Sequence, residues 1–502
     1  MSKKAIIIGA GFGGMSTAIE LAAAGYQVTV LEKNSWPGGR AQVYQEAGFT
    51  FDMGPSWYLL PDQFDRFFAK HNRKTADYYT SKKLSPSYKI FEDDGVSHEV
   101  PNNPIEVSEF FEKIETGAGK KFLKYLERAK EKYEFAMQDF VYRQYNSIFD
   151  LINWKIIKAL PKLDLFFTLE QVIYRDFKHP LLRKILGYPA VFLGGFPDRI
   201  PAVYSLLNWV DFGLGAWYPQ GGFSAIAKGF EKLAIEYGVE FIYNTEVSQI
   251  DAKEGIASGV QTIDGKYYAG DFIIANADYH WVDQHLLSPE YRQYTQKQWD
   301  KSDLAASTLN FYLGLDFEIK DMQPHTFFFD ADWDTHGNGV YGSNGNLFFP
   351  SNKQIFWPEK PLFYAHVPSM SDTGVAPKGC TTLFILVPIA PGLEDTPEQR
   401  EIYLNQTLDR MAGFLGQNIR AGIKVQKSYC IKDYQKDYHA YKGNAFGLGQ
   451  TLFQTASFRP KNYSTKVKNL FYAGQFTIPG TGTSMAMISG QITAAKIIKQ
   501  DK

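Results

Sequence analysis

The sequence predicts an α/β protein in which a parallel-sheet domain is interleaved with an antiparallel-sheet domain and a helical region. Three observations predict it. A short apolar run, a glycine turn, a helix and a second apolar run open the chain. Long aromatic segments without intervening helices occupy much of 301–440, which is the pattern of an antiparallel sheet. From 441 onward the chain returns to a strand, a glycine loop and a helix.

Each part of the opening has a mechanical purpose. Lys4-Ala5-Ile6-Ile7-Ile8 has the length of a buried parallel strand. It runs into Gly9-Ala10-Gly11-Phe12-Gly13-Gly14, a G-x-G-x-x-G turn. The stretch Met15 to Ala24 is helical in composition and stops at Gly25. Gln27-Val28-Thr29-Val30-Leu31 follows and ends in Glu32, about twenty residues past the glycines. Gly9 allows the tight turn, Gly11 lets backbone approach a pyrophosphate, and Gly14 lets helix pack on strand. The helix N-terminus offers free N–H groups and the positive end of a dipole. Glu32 can accept ribose hydroxyls. This is a Rossmann-like dinucleotide site. Pro37-Gly38-Gly39-Arg40 and then Gly48-Phe49-Thr50-Phe51-Asp52-Met53-Gly54-Pro55 add a second turn and a phosphate-binding guanidinium, which suits a larger, permanently held cofactor.

The order of these pieces resembles the glutathione-reductase-like flavoproteins, in the branch that includes amine oxidases and carotenoid desaturases. That resemblance implies FAD. Further signatures narrow it: Pro180-Leu181-Leu182-Arg183, Leu193-Gly194-Gly195-Phe196-Pro197, Trp217-Tyr218-Pro219-Gln220-Gly221-Gly222 and the ending Ala473-Gly474 to Pro479-Gly480-Thr481-Gly482. Together they are similar to the bacterial phytoene-desaturase type of carotenoid desaturase, from end to end of the chain. The resemblance implies cofactor contacts at Gly9, Gly11, Phe12, Gly13, Gly14, Glu32, Lys33, Gly38, Gly39, Arg40, Gly54, Pro55 and Ser56. It also implies contacts at Val247, Asn276, Ala277, Gly474, Gln475, Thr483, Ser484 and Met485. The segment around Val247 would present backbone to the adenine. The last helix, from Ser484 to Ile498, would aim its N-terminus at the flavin's N1–C2=O edge.

Composition agrees with such a role. A 502-residue chain is too long for one ordinary core. Formal net charge is −1, which gives no electrostatic footprint for nucleic acid. Two cysteines, Cys380 and Cys430, suggest neither a disulfide framework nor a zinc site. With no signal peptide and no transmembrane-length apolar run, the expectation is a cytoplasmic protein. Aromatic residues reach 16% of the chain, which would line either a large core or a long apolar channel.

Along the chain, residues 1–75 form the first part of an FAD-binding domain. Residues 76–220 are expected to form a helical region associated with substrate and membrane, with a hairpin around Asp93-Asp94-Gly95 and an amphipathic helix from Glu106 to Met137. Ile148 to Tyr174 mixes apolar bulk and Trp154 with Lys155, Lys158 and Lys162. Such a pattern fits either a buried helix pair or an interfacial membrane segment. Residues 221–300 are the second FAD-binding part, with a helix from Gly222 to Tyr237 and strands at 240–243, 245–250 and 271–277. In the substrate domain at 301–440, strands fall at 307–315, 346–349, 362–367 and 381–388, and a helix at 398–414. Residues 441–502 complete the FAD-binding domain.

The resemblance implies removal of two hydrogens from a CH–CH step beside a polyene, with hydride passing to flavin N5 and a delocalised cation left behind. Such a cation loses its proton to a weak base, consistent with a sequence that shows no Ser-His-Asp, Cys-His or metal constellation. Related bacterial enzymes carry an Asp followed three places later by Arg. Here Asp150 is kept and Asn153 replaces the arginine, so the pair is incomplete and Asp150 could equally be an exposed helix residue. The expected activity is FAD-dependent carotenoid desaturation, most closely of the 1-hydroxycarotenoid 3,4-desaturase kind, with phytoene desaturation as the alternative. More distant alternatives are a flavin amine oxidase and a non-catalytic prenyl-binding escort. Expected partners are a carotenoid, oxygen or a quinone as electron acceptor, and the inner face of the cell membrane, to which the protein would attach peripherally.

Overall fold

A computed structural model describes residues 2–145, 147, 150, 162–343 and 354–502. The expected strand at 346–349 and most of the lysine-rich stretch after Asn146 lie outside the described residues.

A five-stranded parallel sheet runs in the order Leu470–Tyr472, Phe272–Ala275, Lys4–Ile8, Gln27–Leu31, Glu240–Ile242. Its strands are short and almost wholly apolar because helices cover the sheet. One of these helices is Phe12–Ala23, directly after the glycine turn. Gly222–Glu236 and Thr483–Asp501 pack beside it. The central strand, Lys4–Ile8, lies between Phe272–Ala275 and Gln27–Leu31, and the glycine turn sits at its carboxyl end, where ligands bind in open parallel sheets.

A seven-stranded sheet runs in the order Ile423–Tyr429, Ser307–Leu315, Thr381–Ile389, Phe363–His366, His325–Phe328, Tyr88–Phe91, Ser97–Val100. Its pairs within 301–440 are antiparallel, and the hairpin joins it through a parallel pairing of Tyr88–Phe91 with His325–Phe328. The hairpin 88–100 reaches the sheet edge across a long stretch of chain, so no tight turn dictates its direction. Three strands, Val247–Lys253, Ile256–Thr262 and Tyr267–Ala269, form a separate antiparallel ribbon.

The amphipathic stretch after Pro104 is two helices, Pro104–Ile114 and Ala118–Phe135, not the single helix expected. Gly117 takes φ +81 between them, which turns the chain at the break. Among the described residues no helix is long and apolar enough to cross a membrane.

Candidate functional site

The two sheets and the helical region enclose one large cavity of about 790 Å³. Of the cofactor residues expected from the sequence, all except Gly14 line it. They arrive from the first strand–helix unit, from the turn after Phe272–Ala275 and from the C-terminal loop.

Asn276 joins these three parts. Its Oδ1 accepts the Gly14 N–H, and its Nδ2 donates to the Ala473 carbonyl at 3.1 Å. Gly14 lies under the cavity floor, and a Cβ there would stand 2.2 Å from the Gly9 carbonyl oxygen. Its smallness lets helix meet strand. Two helix N-termini open onto the cavity, at Gly11 and at Gly482, and neither carries a side-chain cap. At the first of them Asn276 takes the Gly14 N–H, and the N–H groups of Phe12 and Gly13 are left to face an anion.

Glu32 is buried at the end of its strand. Its Oε2 accepts the Ala10 N–H at 2.7 Å and its Oε1 accepts the Asn34 N–H at 2.8 Å. Burial pushes this carboxyl up, and the two N–H groups oppose that shift. The carboxylate thus braces the glycine turn and keeps lone pairs for ribose hydroxyls. Lys33 leans toward the far wall, where its Nζ donates to the Lys436 carbonyl at 2.6 Å. Arg40 lies 5.4 Å over the Tyr438 ring and donates from Nη2 to the Asn444 carbonyl at 3.3 Å. Its Nε is buried with no hydrogen-bond partner among the described residues.

Asp150 stands apart from this assembly. It is exposed and absent from the cavity wall, and its Oδ2 accepts the Ser147 N–H at 3.0 Å. Asn153 lies outside the described residues.

Sequence reasoning missed the other half of the wall. Trp57, Tyr188, Tyr204, Asp211, Asn310 and Tyr434 line the cavity together with many apolar side chains. Tyr434 Oη shares a hydrogen bond with Thr308 Oγ1 at 2.7 Å and accepts from Asn310 Nδ2 at 3.1 Å. Trp57 directly follows the Gly54-Pro55-Ser56 segment and stacks on His325 at 4.1 Å. These residues come from separate elements at no regular spacing, and only Trp57 stood next to a recognised motif. Among the described residues no group of three or more His, Cys, Asp or Glu could hold a metal.

The family model for flavin-containing amine oxidoreductases matches residues 12–498. The chain is 39% identical over 495 residues to a carotenoid 3,4-desaturase of Haloarcula japonica, covering 98% of this chain and 97% of that protein. It is 29% identical over 500 residues to a zeta-carotene-forming phytoene desaturase of Myxococcus xanthus, covering 99% of this chain and 94% of that one. An oxidoreductase structure from Methanosarcina mazei superposes with a TM-score of 0.63 at 16% identity, covering 99% of this chain and all of that one. Putrescine oxidase bound to putrescine superposes with a TM-score of 0.60 at 15% identity, covering 99% of each chain. The two structures share the fold.

Proposed function

Because this chain belongs to the flavin-containing amine oxidoreductase family, we propose that it is an FAD-dependent carotenoid desaturase, of the 3,4-desaturating kind that acts on a 1-hydroxylated polyene. The cavity fits FAD. The helix N-terminus at Gly11 suits the pyrophosphate, the one at Gly482 would serve the flavin, Arg40 has a spare buried donor, and Glu32 would accept hydrogen bonds from the ribose. When bound, FAD supplies the two-electron acceptor for removing hydrogen from a CH–CH step.

The protein's own contribution is placement and dryness. Met137, Phe140, Phe192, Leu206, Leu207 and Val210 are among the apolar side chains that extend the wall beyond the cofactor residues. They give a hydrocarbon rod a site that excludes water and holds one bond in position. The single observation that carries the reading is this continuity: one cavity joins the dinucleotide cradle to an apolar chamber.

A peripheral membrane position at the inner face of the cell membrane accompanies this reading. Leu165 lines the cavity, and the next two residues, Phe166 and Phe167, are 68% and 55% exposed. Phe458 also lines the cavity while 46% exposed, and Phe453 beside it is 55% exposed. Exposed aromatics flanking an apolar cavity suit entry of a lipid-dissolved substrate.

The test is anaerobic incubation of the flavin-loaded protein with hydrocarbon and 1-hydroxylated acyclic carotenoids, in liposomes with and without a quinone. The expected product carries one more conjugated double bond, and the protein floats with the liposomes. Absence of any new double bond, or peroxide release from simple amines, refutes the activity. Protein left at the bottom of the flotation gradient refutes the membrane position.

A further inference from the structure

Asp211 is one of the carboxyl groups in the wall of the cavity, and apolar side chains such as Leu206, Leu207 and Val210 line the cavity beside it in the chain. Asp211 belongs to a single π-type helical turn, Val210–Leu214, and is 2% exposed. Tyr188 Oη donates to Asp211 Oδ2 at 2.8 Å, and Tyr88 Oη donates to the same oxygen at 3.4 Å. The other oxygen, Oδ1, is shut off from water and has no hydrogen-bond partner among the described residues. Asp211 and Tyr188 both line the cavity. The two tyrosine rings pack 5.6 Å apart, and Trp57 lies 5.7 Å from Tyr88 and 6.4 Å from Tyr188. Trp57 ties this cluster to the Gly54–Ser56 segment, on the cofactor side of the chamber.

A buried acceptor without a donor is costly, and a plain hydrocarbon cannot relieve it. A hydroxyl group can. It donates to a carboxylate and accepts from a carboxylic acid, so it satisfies the free oxygen in either charge state. Burial pushes Asp211 up to about 7, so both states are present near neutral pH. The tyrosines hold one carboxyl oxygen, and a small turn of the side chain toward the cavity that Asp211 lines would bring the other to a ligand. Its closeness to the cofactor side matters, because a hydroxyl at C1 is only two carbons from the C3–C4 bond.

We propose that Asp211, oriented by Tyr188 and Tyr88, binds the hydroxyl of a hydroxylated polyene end and selects such substrates over the parent hydrocarbon. This rests on the reading of the chain as a carotenoid desaturase.

The experiment uses the flavin-loaded protein and three matched, fully conjugated ligands: a 1-hydroxylated acyclic carotenoid, its methyl ether and its hydrocarbon parent. Binding is read by quenching of tryptophan fluorescence, and turnover on the corresponding saturated substrates. Well above pH 7, where the ionised carboxylate takes a hydrogen bond from the alcohol alone, wild type should bind the alcohol at least about tenfold more tightly than the other two. Asp211→Leu should bind all three alike, and Tyr188→Phe should narrow the preference, with the turnover loss on alcohols appearing in KM. The methyl ether comparison needs no variant, so a poorly folding Asp211→Leu does not spare the proposal. Equal binding of alcohol and ether by wild type well above pH 7 overturns it. So does an unchanged preference in Asp211→Leu, or an equal fall in kcat on alcohol and hydrocarbon. If wild type prefers the alcohol yet desaturates nothing, the desaturase reading fails while the hydroxyl site stands.

Discussion

His336 is buried on the helix Trp333–Tyr341, where its Nδ1 accepts the Leu362 N–H at 3.0 Å. Burial and the nearby Arg410 push it down to about 3, from an ordinary value near 6.5. Below pH 6.5 the unfolded chain takes a proton that the folded chain refuses. Stability from the neutral ring is therefore complete above 6.5 and is lost as pH falls toward 3. His366, pushed down to about 4 by burial, acts with the same sign over a narrower window. Asp52 and Asp211 act in the opposite sense. Burial pushes both up to about 7, so their contribution is complete below about 4 and is lost as pH rises toward 7. Replacing His336 isolates one of these effects. His336→Asn keeps an acceptor for Leu362 and should flatten the acid limb by about 1 kcal/mol per pH unit between pH 6 and 4. Urea unfolding at stepped pH measures this, and parallel limbs for the two proteins would refute it.

Helix packing decides whether the cradle forms. Phe12–Ala23 and Thr483–Asp501 meet with almost no space between them at Gly490. A Cβ on Gly490 would lie 2.3 Å from the Gly13 carbonyl oxygen and 3.0 Å from the Thr17 nitrogen. Thr17 Oγ1 bridges the pair, donating toward Gly13 O at 2.8 Å and Gly490 O at 3.2 Å. Gly490→Ala forces backbone apart, at a cost of about 1–3 kcal/mol. Since both N-termini face the cofactor cavity, the same change should lower the flavin bound per protein, read from absorbance and from a thermal melt. A variant with full flavin content and an unshifted melt would show that this contact does not set the cradle. Elsewhere, single side chains anchor elements from afar. Asp52 Oδ2 accepts the Phe223 N–H at 2.9 Å and so ties the Phe49–Asp52 strand to the start of Gly222–Glu236.

At the scale of the molecule, the cradle draws on residues 9–56, 247–277 and 474–485, segments far apart in the chain. A ligand held by all three stabilises the folded state by RT ln(1 + [L]/Kd), about 2.7 kcal/mol when FAD stands at a hundred times its Kd. Flavin-stripped protein should melt at a lower temperature, and added FAD should restore the melt in a concentration-dependent way. A melting temperature indifferent to FAD would refute the three-part cradle.

The sequence by itself determined the dinucleotide cradle and the strands and helices that carry it. Lys4 to Glu32 could be read because its turn, helix and acid follow one another at local spacings, and Ser307–Leu315 because a buried strand announces itself as an apolar run. The tertiary structure alone decided the chamber wall. Trp57, Tyr88, Tyr188 and Asp211 meet only after the hairpin edge, the helical region and the glycine segment fold against one another. An unsatisfied oxygen such as Asp211 Oδ1 has no signature in a string of residues, because hydrogen-bond satisfaction is a property of neighbours in space.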